Sequence, residues 1–204
     1  DAMNIGDIFQ LAEETFSIYS PADIGVVVAA DGATIPSSEA LQDQITTAYD
    51  VVGSPTDLDT QNGDDDSLID FNGSIYAANA GGVVAQGDID YLYAEISGNF
   101  GDTISLDGEI DSTTVHAGLS IGSIVASTNI DGDFISEGTL ALGTVLDVST
   151  YGLSGVPSWF TGGVLAEAGD IYSGSEFTAV GPVTVVQGIP VAAGDAMGTV
   201  YVLA

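Results

Sequence analysis

The sequence predicts a mainly β protein with two N-terminal helices (α+β). Its body reads as an antiparallel β-sandwich or barrel-like fold, with a β-solenoid as the minority alternative. Three observations predict this. From about Leu68 onward, short β-branched and aromatic runs alternate with Gly-, Asp- and Asn-containing turns roughly every eight to twelve residues. Two apolar-periodic segments precede that region. Finally, 45% of the 204 residues are apolar and mean hydropathy is +0.34, enough to build a real core.

The elements follow in order. In residues 1–20, Ile5, Ile8, Phe9, Ala12, Phe16 and Tyr19 recur at three- and four-residue steps, which predicts a helix stopped by Pro21. Such a helix either packs on the core or docks on a neighbouring subunit. Ile24 to Ala30 reads as a buried strand ended by the turn Asp31-Gly32. A second helix is expected from Ser38 to about Val52, capped by Ser37 or Ser38 and closed by Gly53-Ser54-Pro55. Strands are then expected at Gly73–Ala77, Ile89–Ile96, Thr103–Leu106, Leu119–Ile121, Thr139–Leu142, Val183–Val186 and Thr199–Leu203. Ser97-Gly-Asn-Phe100, Asp107-Gly-Glu-Ile110 and Asp131-Gly-Asp-Phe134 look like loosely repeated turns without constant spacing. Three regions result: a helix–strand–helix region with an acidic loop (1–66), a β-rich body (67–156), and a C-terminal β subdomain (157–204) packed with that body.

Charge excludes more than it suggests. There are 30 Asp and Glu, 22 of them Asp, and no Lys or Arg, giving a net charge of −30. No carboxylate can pair with a Lys or Arg of its own chain. Each acid must be solvated, capped by backbone N–H, protonated, or bound to a cation. Nucleic-acid binding is excluded, because phosphate affinity comes from Lys and Arg. Anionic membrane surfaces are disfavoured for the same reason, and no apolar run approaches the roughly 20 residues that span a bilayer. The acidity reads as a solvated surface or as adaptation to high salt, where about 1 M salt shortens the Debye length to roughly 3 Å. In its Asp-over-Glu bias and its Ala, Gly, Val and Thr content, the chain resembles proteins of extreme halophiles. The start at Asp1 fits a processed, exported chain in an extracellular or virion setting, and the absence of Cys does not argue against export in a chain of this size.

The best candidate site is the loop Thr56–Asp66. Asp57, Asp59, Asn62, Asp64, Asp65 and Asp66 place hard oxygen ligands close together, the donor type that Ca²⁺ or another cation takes. It is not an EF-hand, since the position of the required Gly holds Asn62 and that of the final Glu holds Leu68. Catalytic signatures are scarce, and no organic cofactor is implied. His116 is the lone histidine, there is no Cys nucleophile or Schiff-base Lys, and Asp111-Ser-Thr113 lacks the Gly of the aspartic-protease signature. An enzyme is therefore not expected. Asn72-Gly-Ser74 forms a glycosylation sequon, expected at a turn.

The stretch Pro182 to Asp195, followed by Gly198-Thr-Val-Tyr-Val-Leu203, resembles the hairpins of β-rich head-decoration proteins of tailed viruses. That resemblance implies a virion shell component. The expectation is thus a non-enzymatic, self-assembling structural subunit of a virion shell, extracellular filament or surface layer. Its partners would be its own copies and other shell or filament subunits, held together by salt or divalent cations. The alternative is a secreted Ca²⁺- or carbohydrate-binding β module using Trp159, Phe160 and nearby Tyr residues as a platform.

Overall fold

Chain segments rich in β-branched residues, each too short to bury both faces alone, shuttle between two facing sheets. The computed structural model describes residues 4–10, 15–30, 68–141, 144–158, 160–169, 171–172 and 175–179, and the backbone of 200–202. The strands run β1 (Ile8–Gln10), β2 (Phe16–Tyr19), β3 (Ile24–Ala29), β4 (Phe71–Ala77), β5 (Ala80–Ala85), β6 (Ile89–Ile96) and β7 (Asn99–Ser105). They continue with β8 (Ile110–Ala117), β9 (Ser120–Ile121), β10 (Ile124–Ala126), β11 (Ile130–Ser136), β12 (Thr139–Leu140), β13 (Val164–Ala166), β14 (Glu176–Ala179) and β15 (Val200–Val202). The first sheet has the order β1-β3-β5-β7-β10-β13, with β9 alongside β7 and β12 alongside β9; the second has the order β2-β4-β6-β8-β11-β14-β15.

Every ladder between these strands is parallel. This corrects the antiparallel sandwich. The turn signals that suggested hairpins are instead corners at which the chain crosses from one sheet to the other. Nor is the body a closed barrel, since each sheet ends in edge strands. A β-solenoid of uniform circuits is not the architecture either. Bonded neighbours lie 18 to 21 residues apart along most of the stack, but 40 to 56 residues apart beside β3 and β5 and where β13 and β14 join, and β9 and β12 branch from the first sheet.

The N-terminal helix is also corrected, since the described part of residues 1–20 forms strands β1 and β2. Ile8 packs into the core between the sheets, whereas Phe9 packs on the outer side of the first sheet. Those two directions belong to successive residues of a strand, not to one stripe of a helix. The second expected helix, Ser38–Val52, lies outside the described residues. The one helical element among the described residues is a 3₁₀ turn, Val148–Tyr151, with Asp147 as its N-cap.

Identical core positions stack from strand to strand. Phe71 lies opposite Ile89, Ile89 opposite Ile110, and Ile110 opposite Ile130, all fully buried. A second column runs Ile18, Ile75, Ala94, Val115, Phe134 and Phe177. Its last two rings stack at 5.5 Å. Val27, Val83, Ile124 and Val164 meet these columns from the first sheet. Each such aliphatic or aromatic side chain contributes about 1.5–3 kcal/mol by leaving water. The outer side of the first sheet is covered as well. Val26, Val28, Val84, Ile104, Val125 and Leu165 pack under Val148, Tyr151 and Phe160 of the segment that follows β12. Among the described residues, none is layered over the outer face of the second sheet in this way.

The corners show where part of the acidity goes. Asp7 Oδ1 accepts from Val26 N at 2.8 Å, Asp70 Oδ1 from Asp88 N at 2.7 Å, and Asp88 Oδ1 from Glu109 N at 2.7 Å. Asn79 Oδ1 accepts from Asn99 N at 2.7 Å, and Asp102 Oδ1 from Ser123 N at 2.6 Å. In all five cases the residue before the donor is a glycine, and a Cβ there would collide with the capping oxygen. The caps therefore need Asp or Asn on one circuit and Gly on the next. Carboxylates joined to N–H in this way carry structure without any basic partner.

Candidate functional site

The outer face of the second sheet is built by residues that alternate with its core columns. Strand β4 buries Phe71, Gly73, Ile75 and Ala77 and turns Asn72, Ser74 and Tyr76 outward. In-register parallel pairing then lines up one row across the sheet: Tyr19, Tyr76, Glu95, His116, Ile135, Thr178 and, at the register position on β15, Tyr201. A neighbouring row runs Ser17, Ser74, Tyr93, Thr114, Asp133 and Glu176.

Tyr19 and Tyr76 stack at 4.9 Å with 25° between their planes, and Tyr76 meets Tyr93 at 5.9 Å. Tyr19, on the edge strand, is 81% exposed. The Tyr93 hydroxyl donates to Glu95 Oε2 at 3.1 Å, and the same oxygen lies 3.4 Å from His116 Nδ1. Bonding to Glu95 and the proximity of its charge hold the Tyr93 phenol above its ordinary range. Glu95 thus sits between the tyrosines and the one basic side chain of the protein. The face can stack on flat or apolar groups and can accept hydrogen bonds. Its outward carboxylates, Glu95, Asp111, Asp131, Asp133 and Glu176, disfavour an anionic ligand.

On the other side of the molecule, Asp102 is 8% exposed. Its second oxygen accepts from Leu146 N at 2.6 Å, which ties the covering segment to the first sheet. Burial raises its carboxyl above the ordinary range, and the two N–H bonds only partly oppose that. Asp7 Oδ2 similarly accepts from the Tyr151 hydroxyl at 3.2 Å, and burial together with this charge pushes Tyr151 up to about 12.

The sequence-expected metal ligands Asp57, Asp59, Asn62, Asp64, Asp65 and Asp66 lie outside the described residues, as does Trp159. Among the described residues, no three His, Asp or Glu side chains converge as a metal site. Phe160 does not join a surface platform, because it is buried against the first sheet. His116 is on β8 and faces outward. Asp107-Gly108 occupies a corner as expected, but Asp131-Gly132 lies within β11. Asn72 is within β4, not at a turn. Sequence reading missed the tyrosine row and the Asx–Gly caps. The caps left a signal, a Gly recurring 17 to 20 positions after an Asp or Asn. No protein-family model, curated protein or solved structure matches this chain.

Proposed function

We propose that this chain is a non-enzymatic, self-assembling structural subunit, of the kind that builds a virion shell, extracellular filament or surface layer in a salty setting. One observation carries the reading. Among the described strands both sheets are parallel and are ordered in the same sense, with N-terminal strands β1 and β2 at one end and C-terminal strands β13 and β15 at the other. Such a stack is polar, and one end of a copy has the strand direction needed to continue the other. Carboxylates spent on backbone caps fit a scaffold better than a reaction centre. The remaining like charges would require salt or divalent cations between copies.

The test is the mass of the full chain by light scattering as NaCl is lowered and EDTA is added. Assembly at high salt or with Ca²⁺ that reverses on removal supports the reading. A monomer under all conditions sinks it. A carbohydrate-binding module is the second reading, favoured by the exposed Tyr19, Tyr76 and Tyr93 rings. Binding of neutral oligosaccharides by a persistent monomer would establish it.

A further inference from the structure

We infer that the joint between copies is edge-to-edge pairing in the second sheet: β2 of one copy adds in parallel to β15 of the next. This rests on the assembly reading and names its contact. Three features of β2 converge. Ser20 N donates to Tyr76 O, so by the alternation of a parallel strand the Ile18 and Phe16 amides also face β4. The N–H and C=O groups of Ser17 and Tyr19 therefore point away from β4, to the edge that no described strand occupies, a ready template for another strand. The Tyr19 ring stacks on Tyr76, its one ring partner among the described residues, and is 81% exposed.

The third feature is register. The row that begins at Tyr19 ends at Tyr201, at opposite ends of the seven-stranded sheet. A copy added without a register slip sets its Tyr19 beside Tyr201 of its neighbour, so the row restarts where it stopped. Because the two ends differ, the contact is heterologous and repeats, giving filaments or rings instead of a closed dimer. Parallel pairing also conserves strand polarity, which a two-fold dimer through the same edge would reverse.

The protein has no Cys, which allows a register-specific test in the full chain. The double variant Tyr19→Cys with Tyr201→Cys is oxidised at high salt. Adjacent strands sit about 4.8 Å apart, within the Cα separations of roughly 4.4–6.8 Å that a disulfide spans. Within one chain the two positions are at opposite ends of the sheet and cannot meet. The expected result is a ladder of cross-linked multimers beyond the dimer on a non-reducing gel, with each single variant giving at most dimers. In parallel, Ser17→Pro removes only an outward-facing N–H, and Tyr19→Lys puts a charge on the edge. Either should lower the assembled fraction at least tenfold while far-UV circular dichroism stays that of the parent. If the parent assembles but the double variant stops at dimers or does not cross-link, the joint is wrong and the assembly reading stands. If the parent never assembles, both fall. Should Ser17→Pro disturb the fold, Tyr19→Lys decides, since that side chain already stands in solvent.

Discussion

Removing the Asp102 carboxylate tests whether buried acids in this protein are structural. In Asp102→Ala, the amides of Ser123 and Leu146 lose their acceptor. Ser123 is fully buried, whereas the Leu146 site is partly open. An unsatisfied buried donor costs about 1–3 kcal/mol, so the pair gives about 2–4 kcal/mol. For a chain of this length that lowers Tm by roughly 2–4 °C per kcal/mol. The pH dependence carries a second signature. Burial holds Asp102 above the ordinary range, so the native state binds this proton more tightly than the unfolded chain. Its contribution is complete below the unfolded value of about 3.9 and is lost as pH rises through the raised native value. Urea unfolding of both proteins at pH 4 to 8 should therefore show the gap between parent and Asp102→Ala narrowing as pH rises. Asp102→Asn keeps the acceptor for Ser123 but presents an amide to Leu146 N, and should cost about half as much without that pH dependence. A cost below about 0.5 kcal/mol for the alanine variant, or a gap that widens with pH, would refute the reasoning.

Other perturbations follow from the same geometry. Thr103 sits in a core column between Val83 and Ile124, and its buried hydroxyl has no partner among the described residues. Thr103→Val should therefore stabilise by about 1–2 kcal/mol in urea unfolding, and destabilisation would show that the hydroxyl is bonded. Gly82 has φ +112°, and a Cβ there would strike the Asp102 carbonyl oxygen; Gly82→Ala should cost about 3 kcal/mol or more. Tyr151 contributes stability that is complete below pH 10 and lost as pH rises through about 12, so Tyr151→Phe should delete the last phenolate transition in an ultraviolet titration. Asp147 behaves oppositely. Its bonds from the Ser149 hydroxyl and amide hold it below the ordinary range. Its contribution is present above that range and lost as pH falls through the lowered value, a loss that Asp147→Ala should remove.

Much of the strand content was legible in the sequence, and little of the pairing was. Ile24–Ala29 and Ile89–Ile96 were recognisable because β-branched runs between turn residues have few other conformations. Direction was not, because the buried–outward alternation of Phe71–Ala77 reads the same in either kind of sheet. In the middle of the chain a core residue pairs with a residue of the next circuit, such as Ile89 with Ile110 and Ile110 with Ile130, instead of across a hairpin. Ile18 and Phe134 pair with the still more distant Ile75 and Phe177. That information resides in the matching of Phe71 with Ile89, Ile110 and Ile130, which a search for tight turns passes over. The helix expected from Ile5 to Tyr19 came from two short strands whose apolar residues feed different cores. As for the site, Tyr19, Tyr76 and Tyr93 are far apart along the chain, and only register makes them neighbours. The acidic loop stood out by composition alone.

The neighbour-only bonding of successive circuits has a further consequence for how the molecule opens. Each central strand is protected on both flanks, while β2 is held on one flank only by the strands described. Amide hydrogen exchange should therefore grade along the stack, slowest at β6 and β8 and fastest at β2, with opening that travels inward from an end. Adding a further copy would turn an end into an interior. The same event that lengthens the structure would then slow its fraying, and a growing assembly would become kinetically harder to take apart than any of its subunits.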